Sequence, residues 1–224
     1  MSIVEEYLQK DMYYKNKYGK KTFFLYQVGT FYEVYGLNDD DSYQNIKTFG
    51  DICSLTVSPK DYSVRNKQVF IAGFNCYLLE KYIEKLHPHG YTIVVYVQSG
   101  KDTDKGKERV FQGVYSPGTT FLENNHQLSN NMSCIWIQKI KTIHQECFIF
   151  GLSNVNLMTG YSDLCEYKEL FYHNPTTYDS IENFMNTYNP VEFVLVHNLE
   201  LSMVQDIIQY LDVRSKKYHV IDLN

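Results

Sequence analysis

Long apolar runs are missing from the 224-residue chain. No stretch approaches the ~18 apolar residues that a membrane-spanning helix needs. The first residues lack a basic flank followed by an apolar core, so no secretory leader is expected either. Cysteine is sparse and scattered, at Cys53, Cys76, Cys134, Cys147 and Cys165. No pair has C-x-x-C spacing, which argues against a zinc site and a thioredoxin-like pair. An odd, dispersed set fits reduced thiols in an intracellular, soluble protein. Internal repeats are lacking. So is an excess of positive charge: 21 Lys and Arg stand against 26 Asp and Glu, for a net charge of −5. That argues against a uniformly basic nucleic-acid coat, but it leaves room for a local basic face.

What is present is globular composition, 44% hydrophobic and 21% charged, which excludes disorder and suffices for a core in one large or two ordinary domains. The 21 tyrosines are a large excess. Tyr and Asn both have A/T-rich codons, so they point first to a genome of low G/C content.

The apolar pattern predicts a helix over 2–18, opened by a Ser2/Glu5 capping box and stopped at Gly19. Thr22 to Val28 reads as a strand ending at Gly29, and Phe31 to Tyr35 as a second short aromatic stretch. Asn38 to Ser42 reads as an acidic turn, and Ile52 to Val57 as a strand broken by Ser58-Pro59. Lys60 to Lys67 reads as an exposed loop, and Val69 to Ala72 as a strand ending at Gly73. An amphipathic helix over Tyr77 to Leu86 stops at His87-Pro88-His89-Gly90. Tyr91 to Val97 reads as a strand, Ser99 to Lys107 as a polar loop, and Arg109 to Tyr115 as a strand. The polar, aperiodic stretch Glu123 to Met132 is the best domain boundary. Beyond it, Cys134 to Ile140, Cys147 to Leu152 and Tyr161 to Cys165 form a three-strand meander. Then come a helix (Tyr178 to Tyr188), a strand (Val191 to Val196), a helix (Leu201 to Leu211) and a last strand (Tyr218 to Leu223). The expected fold class is α/β in two domains, residues 1–122 and 129–224.

The segment Gly29-Thr30-Phe31-Tyr32-Glu33 places an aromatic ring and a carboxylate two residues apart, just past a strand and a glycine. Residues i and i+2 of an extended segment project to the same side, so Phe31 and Glu33 can address one target together. An aromatic wedge can unstack a base step from the minor groove, at ~1–3 kcal/mol of stacking per base. A carboxylate repels phosphate, but it can accept a hydrogen bond from a displaced base. Composition alone favours the plainer reading, in which Phe31 is core and Glu33 is a solvated charge.

The stretch from Leu25 to Gly36 resembles the mismatch-binding domain of the MutS family, with its Phe-x-Glu motif after an apolar strand. Further blocks fall in the family's order. These are Ile71-Ala72-Gly73-Phe74, Gly90 to Val95 with Gln98, Arg109-Val110 with Ser116-Pro117-Gly118-Thr119, Phe150-Gly151-Leu152 through Leu157-Met158-Thr159-Gly160, and Tyr188 to Glu192. The sequence departs from the family pattern at Thr30, Asn75 and Asn156, which suits a divergent branch; the Tyr and Asn bias would fit a giant-virus or organellar one. The resemblance implies a mixed-sheet mismatch-recognition domain followed by an RNase H-like connector. It makes Phe31 the wedge and Glu33 the base-contacting carboxylate. It also implies binding to double-stranded DNA with mismatches or small loops. ATP, Mg²⁺, dimerisation and a MutL-type partner are expected only for a full-length protein, whose ATPase lies beyond these two domains. This chain is therefore expected to be no enzyme, to hold no cofactor or metal, and to bind DNA weakly in isolation.

Other candidates are weaker. Lys60, Arg65 and Lys67, with Lys20 and Lys21, can contact phosphates or simply be solvated. Gly100 to Glu108 fails as a Walker A loop, because five residues separate Gly100 from Gly106 and Glu108 follows Lys107. A nuclease in the second domain would need converging carboxylates. Asp163, Asp179 and Glu182 read instead as turn or helix-start residues. His87 and His89 suit a helix C-terminus, where the dipole favours their cationic form. The alternatives to mismatch reading are a protein–protein connector module and, further off, an RNase H-like nuclease.

Overall fold

The computed structural model describes residues 2–38, 40–103, 106–120, 130–143, 145–171, 175–213 and 216–223, with side chains given for all of these except 101–103 and 106, and 175. The chain divides into two compact units, Met1–Thr120 and Phe121–Asn224. The expected domain limits at 122 and 129 fall in the segment 121–129, which lies outside the described residues, as does most of the expected linker. Among the described residues no helix is long and apolar enough to cross a membrane.

The first unit opens with α1 (Ile3–Tyr18). Its capping box is formed in both directions: the Ser2 hydroxyl accepts from the Glu5 amide, and the Glu5 carboxylate accepts from the Ser2 amide at 2.7 Å. The pair β1 (Thr22–Val28) and β2 (Phe31–Leu37) follows. Next come α2 (Asp41–Cys53), β3 (Ser58–Val64) and β4 (Lys67–Asn75), a 3-10 turn at Cys76–Leu78, and α3 (Leu79–Leu86). The long strands β5 (Thr92–Thr103) and β6 (Gly106–Tyr115) complete the unit. The sheet order is β3-β4-β2-β1-β5-β6, with β1 and β5 parallel and the other pairs antiparallel.

Strand alternation sends the β1 side chains to two different layers. Phe24 and Tyr26 meet Tyr7 of α1, with ring centroids 5.2 and 6.4 Å away. Phe23 points the other way, onto Phe49 of α2 at 5.1 Å. Phe74 of β4 stacks on Tyr82 of α3 at 4.0 Å. The unit is thus a helix–sheet–helix sandwich, and much of the tyrosine excess is core. Tyr7, Tyr26, Tyr32 and Tyr35 are all buried.

Several expectations need correction. Helix α2 begins within the turn expected over Asn38 to Ser42 and ends within the strand expected over Ile52 to Val57, whose residues 54–57 form no strand. It is capped by Asp40, whose side chain accepts from the Ser42 amide at 3.2 Å. Its buried stripe is Ser42, Ile46, Phe49, Gly50 and Cys53. Only three of those are clearly apolar, so the helical period is faint in the sequence. Ser58-Pro59 begins a strand rather than breaking one. A proline is tolerated there because β3 is the edge of the sheet. The expected loop over Lys60 to Lys67 is the β3–β4 hairpin, turning at Arg65 and Asn66, both at positive φ as a type I′ turn requires. The expected loop over Ser99 to Lys107 is also paired, with Asp102 opposite Lys107 and Thr103 opposite Gly106. Ribbon pairing rests on backbone groups, so a polar sequence does not preclude it.

The second unit carries β7 (Asn131–Lys141), β8 (Glu146–Asn156) and β9 (Ser162–Leu170) as an antiparallel meander. Then come α4 (Asp179–Tyr188), β10 (Glu192–His197), α5 (Leu201–Tyr210) and β11 (Lys217–Asp222). The order β11-β10-β7-β8-β9 joins β10 in parallel to both β7 and β11. One face of the sheet supplies Ile135, Ile137, Phe148, Phe150, Leu152, Phe193 and Leu195 to a core closed by Ile181, Phe184, Met185, Val204 and Ile207 of the two helices.

Candidate nucleic-acid interface

The β1–β2 connection is the shortest a hairpin allows. Val28 faces Phe31, leaving Gly29 and Thr30 as a two-residue loop. Gly29 has φ +62°, and Thr30 is not among the positive-φ residues. That is the pattern of a type II′ turn, in which the first position needs glycine. The turn is braced on three sides. The Gln27 side chain donates to the Gly29 carbonyl at 3.0 Å and accepts from the Gln98 amide at 2.8 Å. The Arg109 guanidinium donates to the Gln27 carbonyl at 2.6 Å and lies 4.7 Å over the Tyr26 ring. The Cys76 amide donates to the Thr30 carbonyl at 2.8 Å.

Beyond this turn Phe31 is 47% exposed, although its neighbour Tyr32 is buried. Tyr32 points to the opposite face, and its hydroxyl donates to Gln112 at 3.2 Å. Burial pushes the Tyr32 phenol up to about 12, with nearby Cys76 and Tyr115 adding to the shift. Phe31, Glu33 and Tyr35 project on the other face, the side that α1 covers further along, where Tyr7 and Tyr35 meet at 5.2 Å. Glu33 is half-buried. Its carboxylate accepts a hydrogen bond from the Tyr35 hydroxyl. Burial foremost, and then that bond, raises the Tyr35 phenol far above its ordinary range, so its proton stays in place. Opposite Glu33 in the register is Gly73, where an added Cβ would lie 2.6 Å from the Tyr32 carbonyl oxygen and 3.4 Å from Glu33 Cγ. Tyr62 of β3 lies close enough to feel the Glu33 charge.

The basic candidates sit elsewhere on the sheet. Phe31 is level with Asn75, and Lys67 lies eight residues further along β4, about 27 Å at ~3.4 Å per residue. Lys67 pairs with Asp40 at 3.5 Å. Arg65 is exposed at the hairpin turn, near Glu5 of α1. Lys60 is half-buried in β3, and its carbonyl accepts from the Gln68 side chain. The three lie toward the turn end of the β3–β4 hairpin, whereas Phe31 and Glu33 pair with the far end of β4, at Asn75 and Gly73. Tyr35 and Gln27 carry no role of their own in the sequence reading, where Arg109 is only a family mark and Gly73 only a family mark and a strand end. The available signal was a tyrosine two residues after Glu33, on the same strand face.

The MutS domain I family model matches residues 9–124, just over half of the chain. The chain belongs to the MutS family. It is also 27% identical to a putative DNA mismatch repair protein, a mutS homolog of Acanthamoeba polyphaga mimivirus, over 97% of this chain and 20% of that relative. The chain thus spans about a fifth of the relative's length. The tip from Gly29 to Glu33 lies inside the matched domain I segment.

The remaining candidates in the second unit have ordinary partners. Asp163 accepts from the hydroxyls of Tyr161 and Tyr188 at 3.2 and 2.7 Å. The Tyr188 phenol is pushed up to about 12, chiefly by that bond. Asp179 and Glu182 both accept from the Tyr210 hydroxyl, at 2.9 and 3.2 Å. Asn156 closes the turn after β8, accepting from the amides of Met158 and Thr159 at 3.0 and 3.1 Å. Among the described residues no three His, Cys, Asp or Glu gather to hold a metal ion.

Proposed function

We propose that this chain reads mismatched or looped double-stranded DNA in mismatch repair, with Phe31 as a wedge beside the affected base and Glu33 as a hydrogen-bond acceptor for it. The observation that carries the reading is the exposed Phe31 ring at a braced two-residue turn, with the Glu33 carboxylate on the same strand face. A mispair stacks less well than a Watson–Crick pair, so unstacking it costs less, and that difference supplies the discrimination. A base held on Phe31 needs an acceptor or donor at its edge, and Glu33 is the polar group within reach of the same side.

Lys60, Arg65 and Lys67 serve in this reading as phosphate contacts, away from the affected base. For Lys67, the separation of about 27 Å from the level of Phe31 along β4 corresponds to roughly eight base pairs at ~3.4 Å rise, within the span of a duplex lying along the sheet. The second unit is read as an RNase H-like connector, a reading supported by its meander followed by two parallel strands. ATP and Mg²⁺ use, dimerisation and recruitment of a MutL-type partner are assigned to the whole protein and to none of these residues.

The test is binding of the whole natural protein to a heteroduplex and to the matched homoduplex, alongside Phe31→Ala. The expected outcome is preference for the heteroduplex and loss of about 5- to 150-fold of that affinity in the variant, the equivalent of ~1–3 kcal/mol of stacking. Equal binding to both duplexes, unmoved by the substitution, overturns the proposal. A connector-only module would bind protein partners while ignoring both duplexes.

A further inference from the structure

Glu33 does not face its target as a free carboxylate. One oxygen, Oε2, is held by the Tyr35 hydroxyl from within the same strand. The bond is built in from several directions. Tyr35 is 4% exposed and wedged edge-on against Tyr7 of α1, with ring centroids 5.2 Å apart, so its hydroxyl has one place to be. Gly73 supplies the room for the Glu33 stem, since a Cβ there would crowd both the Tyr32 carbonyl and Glu33 Cγ. The Tyr35 proton is strongly retained, because burial and the adjacent carboxylate both disfavour the phenolate. A phenol that keeps its proton and meets a carboxylate donates to it. Among the described residues no hydrogen bond occupies the second oxygen, Oε1, which leaves it available as an acceptor.

We propose that Tyr35 is a positioning and specificity-determining residue: by occupying Glu33 Oε2 it presents Oε1 as an outward acceptor, so that the tip selects a displaced base offering an N–H donor at its edge over one offering only acceptors. The inference rests on the reading of Glu33 as the base contact. Thymine, with its N3–H, is a donor edge of this kind. N3-methylthymine keeps the ring and the carbonyl oxygens but has no donor there.

The experiment uses the whole natural protein and two duplexes, one with a single unpaired thymidine and one with a single unpaired N3-methylthymidine. The readout is the ratio of the two affinities, which a general loss of folding or DNA binding does not move. Wild type is expected to favour the thymidine duplex. Tyr35→Phe keeps the ring against Tyr7 and removes only the hydroxyl, and it should lower the ratio about 3- to 10-fold, the range of one hydrogen bond. Glu33→Gln gives an independent reading at a half-buried position. The Tyr35 hydroxyl is expected to donate to the amide oxygen as it does to the carboxylate, turning the NH₂ outward, so the ratio should fall below one. In the double variant Glu33→Gln/Tyr35→Phe the amide is free to flip, and the ratio should return towards one.

A Tyr35→Phe ratio equal to wild type, with Glu33→Ala lowering it, overturns the role of Tyr35 and leaves Glu33 as the base contact. A ratio near one in Glu33→Gln alone, unchanged by adding Tyr35→Phe, also overturns it, and does so even if Tyr35→Phe by itself folds poorly. A ratio unmoved by Glu33→Ala overturns the base-contact reading and this inference with it.

Discussion

Gly73 has no side chain, and that shapes the ground on which Glu33 stands. An alanine methyl would lie 2.6 Å from the Tyr32 carbonyl oxygen, backbone that cannot swing away as a side-chain end can. Gly73→Ala should therefore shift β2 against β4 and destabilise the first unit by about 1–3 kcal/mol, the usual cost of overpacking. The measurement is the midpoint of urea denaturation, and a midpoint equal to wild type would show that the strand pair yields freely. Cysteine reactivity can be argued at the same scale. Burial pushes the Cys53 thiol up to about 12, against a smaller opposing pull from Lys85. It should resist iodoacetamide at pH 8 in the native protein and react once the protein is unfolded in urea, because the thiolate is the nucleophile. Mass spectrometry of the alkylated peptide distinguishes the two states. The sequence puts Phe31 just past a strand and a glycine, but it does not show the ring to be exposed. A phenylalanine in an aromatic stretch is usually core, and only the position of the turn leaves half of its surface uncovered.

At the scale of elements, helix α1 was legible from end to end because its signals agree. Ser2 and Glu5 cap it, the apolar stripe has helical spacing, and Gly19 ends it at φ +91°. Ser2→Ala removes the side-chain half of that cap and should cost about 0.5–2 kcal/mol of stability, read as a lower thermal midpoint. Helix α2 was not legible, because Ser42 and Gly50 complete its buried stripe and neither is apolar. The β3–β4 hairpin reads as a loop in the sequence because β3 is exposed along most of its length and has a proline as its second residue. That hairpin carries Lys60, Arg65 and Lys67, and alanine at all three should weaken binding of matched and mismatched duplexes alike. It should also flatten the salt dependence of binding, by about 0.9 in slope for each phosphate that is no longer neutralised. An unchanged slope would leave these side chains as solvated charges.

The whole chain comprises two units, each with its own sheet and its own buried cluster. Among the described residues, the apolar core of the second unit, from Ile135 to Val213, is built from residues of that unit. The aromatic layers of the first unit are formed by residues between Tyr7 and Phe111 in the chain, on both faces of its sheet. A unit that owns its core can fold by itself. Residues 1–120 expressed alone are therefore expected to unfold in one cooperative transition, with far- and near-ultraviolet circular dichroism changing together. Loss of the near-ultraviolet signal at a lower denaturant concentration would mean that the aromatic packing needs the rest of the protein.

The sequence by itself determined the class of the fold, most of the strands and helices, and the family, since these depend on periodicity, caps and ordered local blocks. Tertiary structure decided which side chains meet across strands. The brace of Gln27 and Arg109 behind the tip, the space at Gly73 and the hydroxyl of Tyr35 on Glu33 join residues from β1, β2, β4 and β6. The register that aligns them is set by strand pairing, and a shift of one residue would turn Glu33 to the other face of the sheet. A linear pattern carries that register only weakly, so the role of Tyr35 emerged only once β2 was seen lying between its two neighbours.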